Sequence, residues 1–219
     1  MKPPEIIYVV NRTLQLVGAV ERKFAHEAGL CHLTVLLLAA RREDEKIAVQ
    51  VRSPKKRTFP NALDIFGGHC AVGAEVASAF IGNSATLETI VAETAIREAT
   101  EELRLVDSTG CPIVVTADQL HLLGVIGEFE MDSVANREKS SLFALGIPAG
   151  ATLHPMDEQD GQHEPVRHEF LSLEELLAIH RAGQRQIADG LDRVLRRASA
   201  SDEFTHSLSE FISHVASIV

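Results

Sequence analysis

The chain has 219 residues, 45% of them hydrophobic and 24% charged, enough for one sizeable core or for one domain plus an appendage. Its formal net charge of −10 excludes a nucleic-acid polymer as partner, because no general basic field would collect phosphates. Cys31, Cys70 and Cys111 are far apart and form no CxxC pair, which fits a reducing cytosol and gives no zinc site. The opening MKPPEIIYVV has a proline pair and an early Glu where a signal peptide would be basic and then apolar. No stretch approaches the ~20 apolar residues of a membrane span, so a cytoplasmic protein with no membrane partner is expected.

Ile6–Val10 is a short β-branched run followed by the turn Asn11-Arg12. Leu33–Ala39 is a continuous apolar run, as expected of a strand buried on both faces. The charged segment Arg41–Lys46 turns the chain into Ile47–Val51, giving a hairpin. Arg52–Arg57 is a basic loop, with Pro54 and Pro60 arguing against regular structure. Leu63–Phe66 reads as a strand ending at Gly67-Gly68, and 71–85 as a loop. A helix is predicted from Thr86 to Leu103, with Leu87, Val91, Ala95 and Ala99 as its apolar stripe. Gln119–Phe129 and Ser140–Ile147 read as strands, 156–164 as a polar loop and Val166–Leu171 as a last strand. Ser172-Leu173-Glu174-Glu175 starts a helical tail with breaks expected at Gly183, Gly190 and Ala198–Ser201. The tail's apolar positions, from Leu173 to Val215, are placed to pack on the domain or to form a homodimer contact.

Arg97-Glu98-Ala99-Thr100-Glu101-Glu102 carries the chemistry. At helical spacing Glu98, Glu101 and Glu102 fall within an arc of about 100°. Like charges so placed cost roughly 0.2–0.5 kcal/mol per pair, a cost best offset by a hard cation among the carboxylates. Mg²⁺ is the usual occupant of an all-oxygen site facing a phosphate, with Mn²⁺ as the substitute. Arg52, Lys55 and Lys56 are the local cations an acidic protein needs to hold a diphosphate.

Gly67-Gly68 followed by Arg-Glu-x-x-Glu-Glu resembles the Nudix box of the Nudix hydrolase superfamily. Arg22, His26, Gly29 and His32, then Gln50–Lys56, Phe59-Pro60 and Gly67-Gly68-His69, resemble the isopentenyl-diphosphate-isomerase-like branch. The likeness covers residues 5 to 175. It implies an α+β Nudix fold, a mixed β-sheet sandwiched between helices, with a Nudix domain over 1–172; the helical pattern of 173–219 makes that tail an extension expected to pack on it. It also implies that Glu98, Glu101 and Glu102 hold the metal and serve as general base, with Arg97 orienting a carboxylate or the loop backbone. Gly67, Gly68, Arg52, Lys55 and Lys56 would meet the substrate. The family's downstream metal glutamate falls on Glu138, with Glu128 and Glu130 competing.

The box departs from the usual pattern in two places. Its first Glu falls on neither expected position, leaving Glu75 and Glu88, and Arg104 replaces the final glycine. His26, His32 and His69 coincide with metal-ligand histidines of the true isomerases, but are read here as hydrogen-bonded structural histidines. The acidic loop Asp157-Glu158-Asp160 with His163 reads as solvated.

True isomerases of the branch carry cysteine two residues before the histidine. Here Gly67 stands there, and Cys70 is on the wrong side of His69. The chain lacks Trp, and its one tyrosine is Tyr8, leaving few aromatic faces for a carbocation. Asn136 replaces a second isomerase metal glutamate. The sequence therefore favours a Mg²⁺-dependent Nudix hydrolase cleaving a diphosphate bond in a small nucleoside-diphosphate-X metabolite. Isopentenyl-diphosphate isomerase and a non-catalytic nucleotide-binding module are the alternatives.

Overall fold

The computed structural model describes residues 4–56, 58–72, 86–126, 137–154 and 167–217. Strand β1 (Ile6–Val10) pairs antiparallel with β2 (Leu16–Glu21) across a turn in which Asn11 Oδ1 accepts the Thr13 and Gln15 N–H groups. A single helical turn and a half, α1 (Arg22–Glu27), returns the chain to β3 (His32–Arg41). Neither β2 nor α1 shows in the sequence pattern. The strand is a partly exposed edge interrupted by Gly18, and the helix is too short to display a period.

β3 is the axis of the sheet, and burial on both faces explains its unbroken apolar run. It pairs antiparallel with β1, with β4 (Lys46–Val51) and with β6 (Phe66–His69). It also pairs in parallel with β9 (Glu138–Ile147), with His32 opposite Glu138. The single strand expected over Leu63–Phe66 is instead two. β5 (Leu63–Asp64) pairs with β4, and β6 pairs with β3 and runs through both glycines. β8 (Leu120–Ile126) and β11 (Arg167–Leu171) add to β9 and β4, while β7 (Leu105–Val106) and β10 (Thr152–Leu153) form a separate ribbon.

Two cores follow from the alternation of β3. Val35, Leu37 and Ala39 face helix α2 (Leu87–Glu98) and pack with Val91, Ala95, Ala99, Phe66 and Phe143. Leu36, Leu38 and Ala40 face the tail and pack with Leu176, Leu191, Val194, Leu195, Phe204 and Leu208. Those tail residues lie on α3 (Leu173–Ala182), α4 (Asp189–Ala200) and α5 (Asp202–Ser217). The result is the α+β arrangement expected, a mixed sheet between helices.

Ser172 caps α3 through a reciprocal box in which its Oγ accepts the Glu175 N–H at 3.0 Å and Glu175 Oε2 accepts the Ser172 N–H at 2.7 Å. The expected breaks appear at Gly183, left-handed at φ 59°, and at Ser201. Gly190 is no break: it lies inside α4, where a Cβ would stand 3.1 Å from Asp64 Oδ1, so its smallness lets the helix approach the sheet. Asp64 in turn accepts the Leu191 N–H, capping α4 from outside.

Candidate active site

β6 organises the site. Gly67 has φ +143°, and a Cβ there would overlap the Val35 carbonyl oxygen, so no side chain fits. At Gly68 a Cβ would stand 2.5 Å from Glu98 Cδ and 2.6 Å from its Oε2. The missing side chain is thus a cradle occupied by the Glu98 carboxylate. One residue earlier, the Gly67 N–H donates to Glu102 Oε2 at 3.1 Å.

Arg97 binds the helix to this strand. Its guanidinium lies 2.6 Å from Glu98 Oε1, and it donates to Glu101 Oε2 and to the His69 carbonyl, each at 3.1 Å. The sequence assigned Arg97 such an orienting role from the resemblance. Glu98 is buried, Glu102 half-buried and Glu101 exposed, so the three carboxylates are not equivalent.

The helix does not keep α geometry to its end. After Glu98 it widens into a π-turn over Ala99–Leu103, which displaces Glu101 and Glu102 from the arc that 100° per residue predicts. The turn ends on Arg104 in the left-handed region, φ 41° and ψ 55°, where a glycine would be relaxed. Arg104 Nε donates to the Glu101 carbonyl at 3.2 Å, tying down the last turn. Arg104→Gly should stabilise the fold by about 1 kcal/mol. Thermal unfolding would read that as a rise of about 2–4 °C, and an unchanged or lower midpoint would contradict the strain.

Burial pushes the Glu102 carboxyl up to about 7, against the pull of the Gly67 N–H, and the neighbouring Glu98 and Asp64 charges add to the rise. Burial also raises Glu98, with Arg97 opposing. Both groups are poised to gain from a cation. Without one, the folded chain keeps the Glu102 proton to about pH 7, whereas the unfolded chain loses it near its ordinary 4.5. The stability associated with this group is therefore greatest below about 4.5 and falls as pH rises toward 7. Glu102→Gln mimics the neutral acid. Denaturant titrations of metal-free protein should show the variant gaining on the wild type between pH 5 and 8, on the order of 2–3 kcal/mol at full titration. A pH-independent difference would refute the shift.

The cations of the basic loop divide. Arg52 is closed onto Asp64, Nη1 to Oδ2 at 2.8 Å, with Nη2 donating to the Thr58 carbonyl at 3.2 Å. Arg52, expected to meet the diphosphate, also forms this internal ion pair, because β4 and β5 set Gln50 opposite Asp64 and bring the Arg52 and Asp64 side chains together. Lys55 and Lys56 are exposed, and the Lys56 charge acts on Glu102. Glu88 sits in the first turn of α2, about 15 Å along the axis from Glu98, and is exposed. Glu75, Glu128, Glu130, Asn136 and the 156–164 loop lie outside the described residues.

Glu138 meets His32, His69 and Arg193. Alternation along β6 turns Gly68 toward α2 and His69 to the tail side. Register then aligns His69 with Thr34, and Glu138 with His32, on that second face. His26, His32 and His69 converge there, with candidate ligand atoms all within 4.8 Å of one another. His26 Nε2 and His69 Nε2 are 3.2 Å apart. Glu138 Oε1 lies 3.8 Å from His32 Nε2 and 4.0 Å from His69 Nε2. A tetrahedral ion with bonds of about 2.1 Å would separate its ligands by about 3.4 Å.

The histidines, read from the sequence as hydrogen-bonded structural residues, do make hydrogen bonds, but His32 uses only one of its ring nitrogens. Its Nδ1–H donates to the Leu30 carbonyl at 2.9 Å, while its Nε2 is buried and without a hydrogen-bond partner among the described residues. Burial, helped by Arg22, holds His69 down to about 3, so its ring is neutral. Burial opposes ionisation of Glu138, but His32 and the Arg193 guanidinium outweigh it and hold the carboxyl far below its ordinary range. Sequence reasoning missed Asp64, Ser140 and Arg193, whose partners are distant in the chain.

No family model and no curated protein matches this chain. Among solved structures, DR0079 from Deinococcus radiodurans superposes with a TM-score of 0.58 at 24% identity, covering 88% of this chain and 98% of that one. A NUDIX hydrolase from Alicyclobacillus acidocaldarius superposes with a TM-score of 0.51 at 14% identity, covering 81% and 95%. The chain has the Nudix fold. Among the described residues no helix is long and apolar enough to cross a membrane.

Proposed function

We propose that the chain is a cytoplasmic Mg²⁺-dependent hydrolase that cleaves the diphosphate bond of a small nucleoside-diphosphate-X metabolite, with Mn²⁺ able to substitute. The reading rests on one observation above all: the Glu98 and Glu102 carboxylates are seated on the backbone of Gly67-Gly68. Their donor set is all oxygen, and burial holds both carboxyls above their ordinary range despite Arg97 and Lys56 nearby, which suits a hard cation.

Glu98, Glu101 and Glu102 would hold the ion, which when bound supplies charge neutralisation at the phosphoryl oxygens. Glu101 would first leave its exposed contact with Arg97. Arg97 keeps Glu98 against β6, and Lys55 and Lys56 attract the diphosphate from the open side. Glu102, ionised beside the cation, is suited to take a proton from water. Residues 1–172 would form the catalytic domain and 173–219 an extension that covers the second face of its sheet.

The histidine cluster favours a second cation site. Three imidazoles and Glu138 suit Mn²⁺, Co²⁺ or Zn²⁺ better than Mg²⁺, and such an ion would join α1, β3, β6 and β9. An isomerase reading finds support in the same cluster, but Gly67 has no room for the cysteine that reaction needs.

A panel of nucleoside diphosphate derivatives incubated with Mg²⁺ or Mn²⁺, products read by mass spectrometry, tests the proposal. Two phosphorylated fragments, one carrying oxygen from water, are expected. Tight nucleotide binding with no turnover would instead support a lapsed binding module, and conversion of isopentenyl diphosphate without phosphate release would support the isomerase.

A further inference from the structure

Arg193 lies on α4, in a part of the chain where the sequence offers no motif. Its side chain is 9% exposed, and Nη2 meets Glu138 Oε2 at 2.5 Å. Nη1 donates to Ser140 Oγ at 3.1 Å, and Ser140 Oγ is 2.7 Å from the buried Thr34 hydroxyl. The guanidinium therefore occupies one oxygen of Glu138 and is itself fixed by a second residue of β9. The other oxygen, Oε1, is the one that faces His32 and His69. α4 reaches this position because Asp64 caps its N-terminus and Leu191, Val194 and Leu195 are buried beside it.

We propose that Arg193 is a positioning residue of the histidine centre. It engages Glu138 Oε2, presents Oε1 alone to the cation held by His26, His32 and His69, and so makes the C-terminal extension part of that centre. The inference rests on the second cation site read above. A carboxylate free to turn could offer either oxygen, or both, and would hold the ion less tightly. A lysine could carry the charge to Glu138 but could not make the forked contact with Ser140, so it should restore the function only in part.

The test is Co²⁺ binding to the full-length protein, followed by its visible absorption, which reports ligand number and geometry. Wild type should bind one Co²⁺ with a tetrahedral spectrum that His32→Ala abolishes. Arg193→Ala should weaken Co²⁺ affinity about 10–100-fold and alter the spectrum, with Arg193→Lys intermediate in both. Metal-free circular dichroism and unfolding midpoints show whether each variant is folded. If Arg193→Ala does not fold, Ser140→Ala, which removes one anchor of the guanidinium, should still shift the spectrum. Wild type that takes up no Co²⁺ sensitive to His32 would sink the histidine centre itself. Normal uptake by wild type, with Arg193 and Ser140 variants of equal or tighter affinity and unchanged spectrum, would sink only the role given to Arg193.

Discussion

Glu102→Gln is expected to lower kcat on the diphosphate substrate about 10²–10⁴-fold, the range associated with losing a general base or a charge at a developing transition state. The substitution is chosen because it keeps shape and hydrogen bonding. A Gln side-chain oxygen can still accept the Gly67 N–H, as Glu102 does at 3.1 Å. Only the negative charge and the titratable proton are lost. The folded population should therefore be unchanged, and raising Mg²⁺ should not restore the rate. Glu98→Gln should behave alike, since its carboxylate fills the cradle at Gly68. Steady-state kinetics with circular dichroism as control measures both. Variants within about threefold of wild type would remove the helix from the chemistry.

Gly67→Cys is expected to destabilise the protein severely and to confer no isomerase activity. The residue adopts φ +143°, a region open essentially to glycine alone, and its would-be Cβ overlaps the Val35 carbonyl oxygen and lies 3.0 Å from Leu36 Cα. The backbone conflict costs about 1–3 kcal/mol and the steric conflict about 1–3 kcal/mol more. Each kcal/mol lowers the midpoint of a domain this size by about 2–4 °C. A folded variant that interconverted isopentenyl diphosphate would overturn the choice of hydrolase over isomerase. The same geometry explains why Cys70 is no substitute: it is fully buried, and burial pushes its thiol up to about 12.

Much of the scaffold is legible because it obeys single-strand or single-helix rules. The apolar run at Leu33–Ala39 reads as a strand buried on both faces, and the Ser172 box announced α3 to the residue. The helix bearing the glutamates was legible in extent, with Thr86 as its cap, but not in its last turn. A π-turn changes angular spacing without changing residue type, so nothing in Ala99–Leu103 signals it. Arg104 was the one visible clue, a side chain where the backbone turns left-handed.

Features that depend on pairing between distant segments were hidden. Arg52 looked like a free cation because the sequence does not reveal that Asp64 lies beside it across β4 and β5. His32, His69 and Glu138 are individually ordinary residues, and only the register of β3 with β6 and β9 puts them on one face. Arg193 reads as the charged side of an amphipathic helix until α4 is laid against β9.

A crystal soaked with Mn²⁺ and a non-hydrolysable nucleoside diphosphate analogue offers the most direct measurement, since anomalous scattering places the ion without reference to activity. The account predicts a peak within coordination distance of the Glu98 and Glu102 oxygens, shared with the diphosphate, whether or not the histidines also bind. Nucleotide seated with no peak at those carboxylates would contradict it.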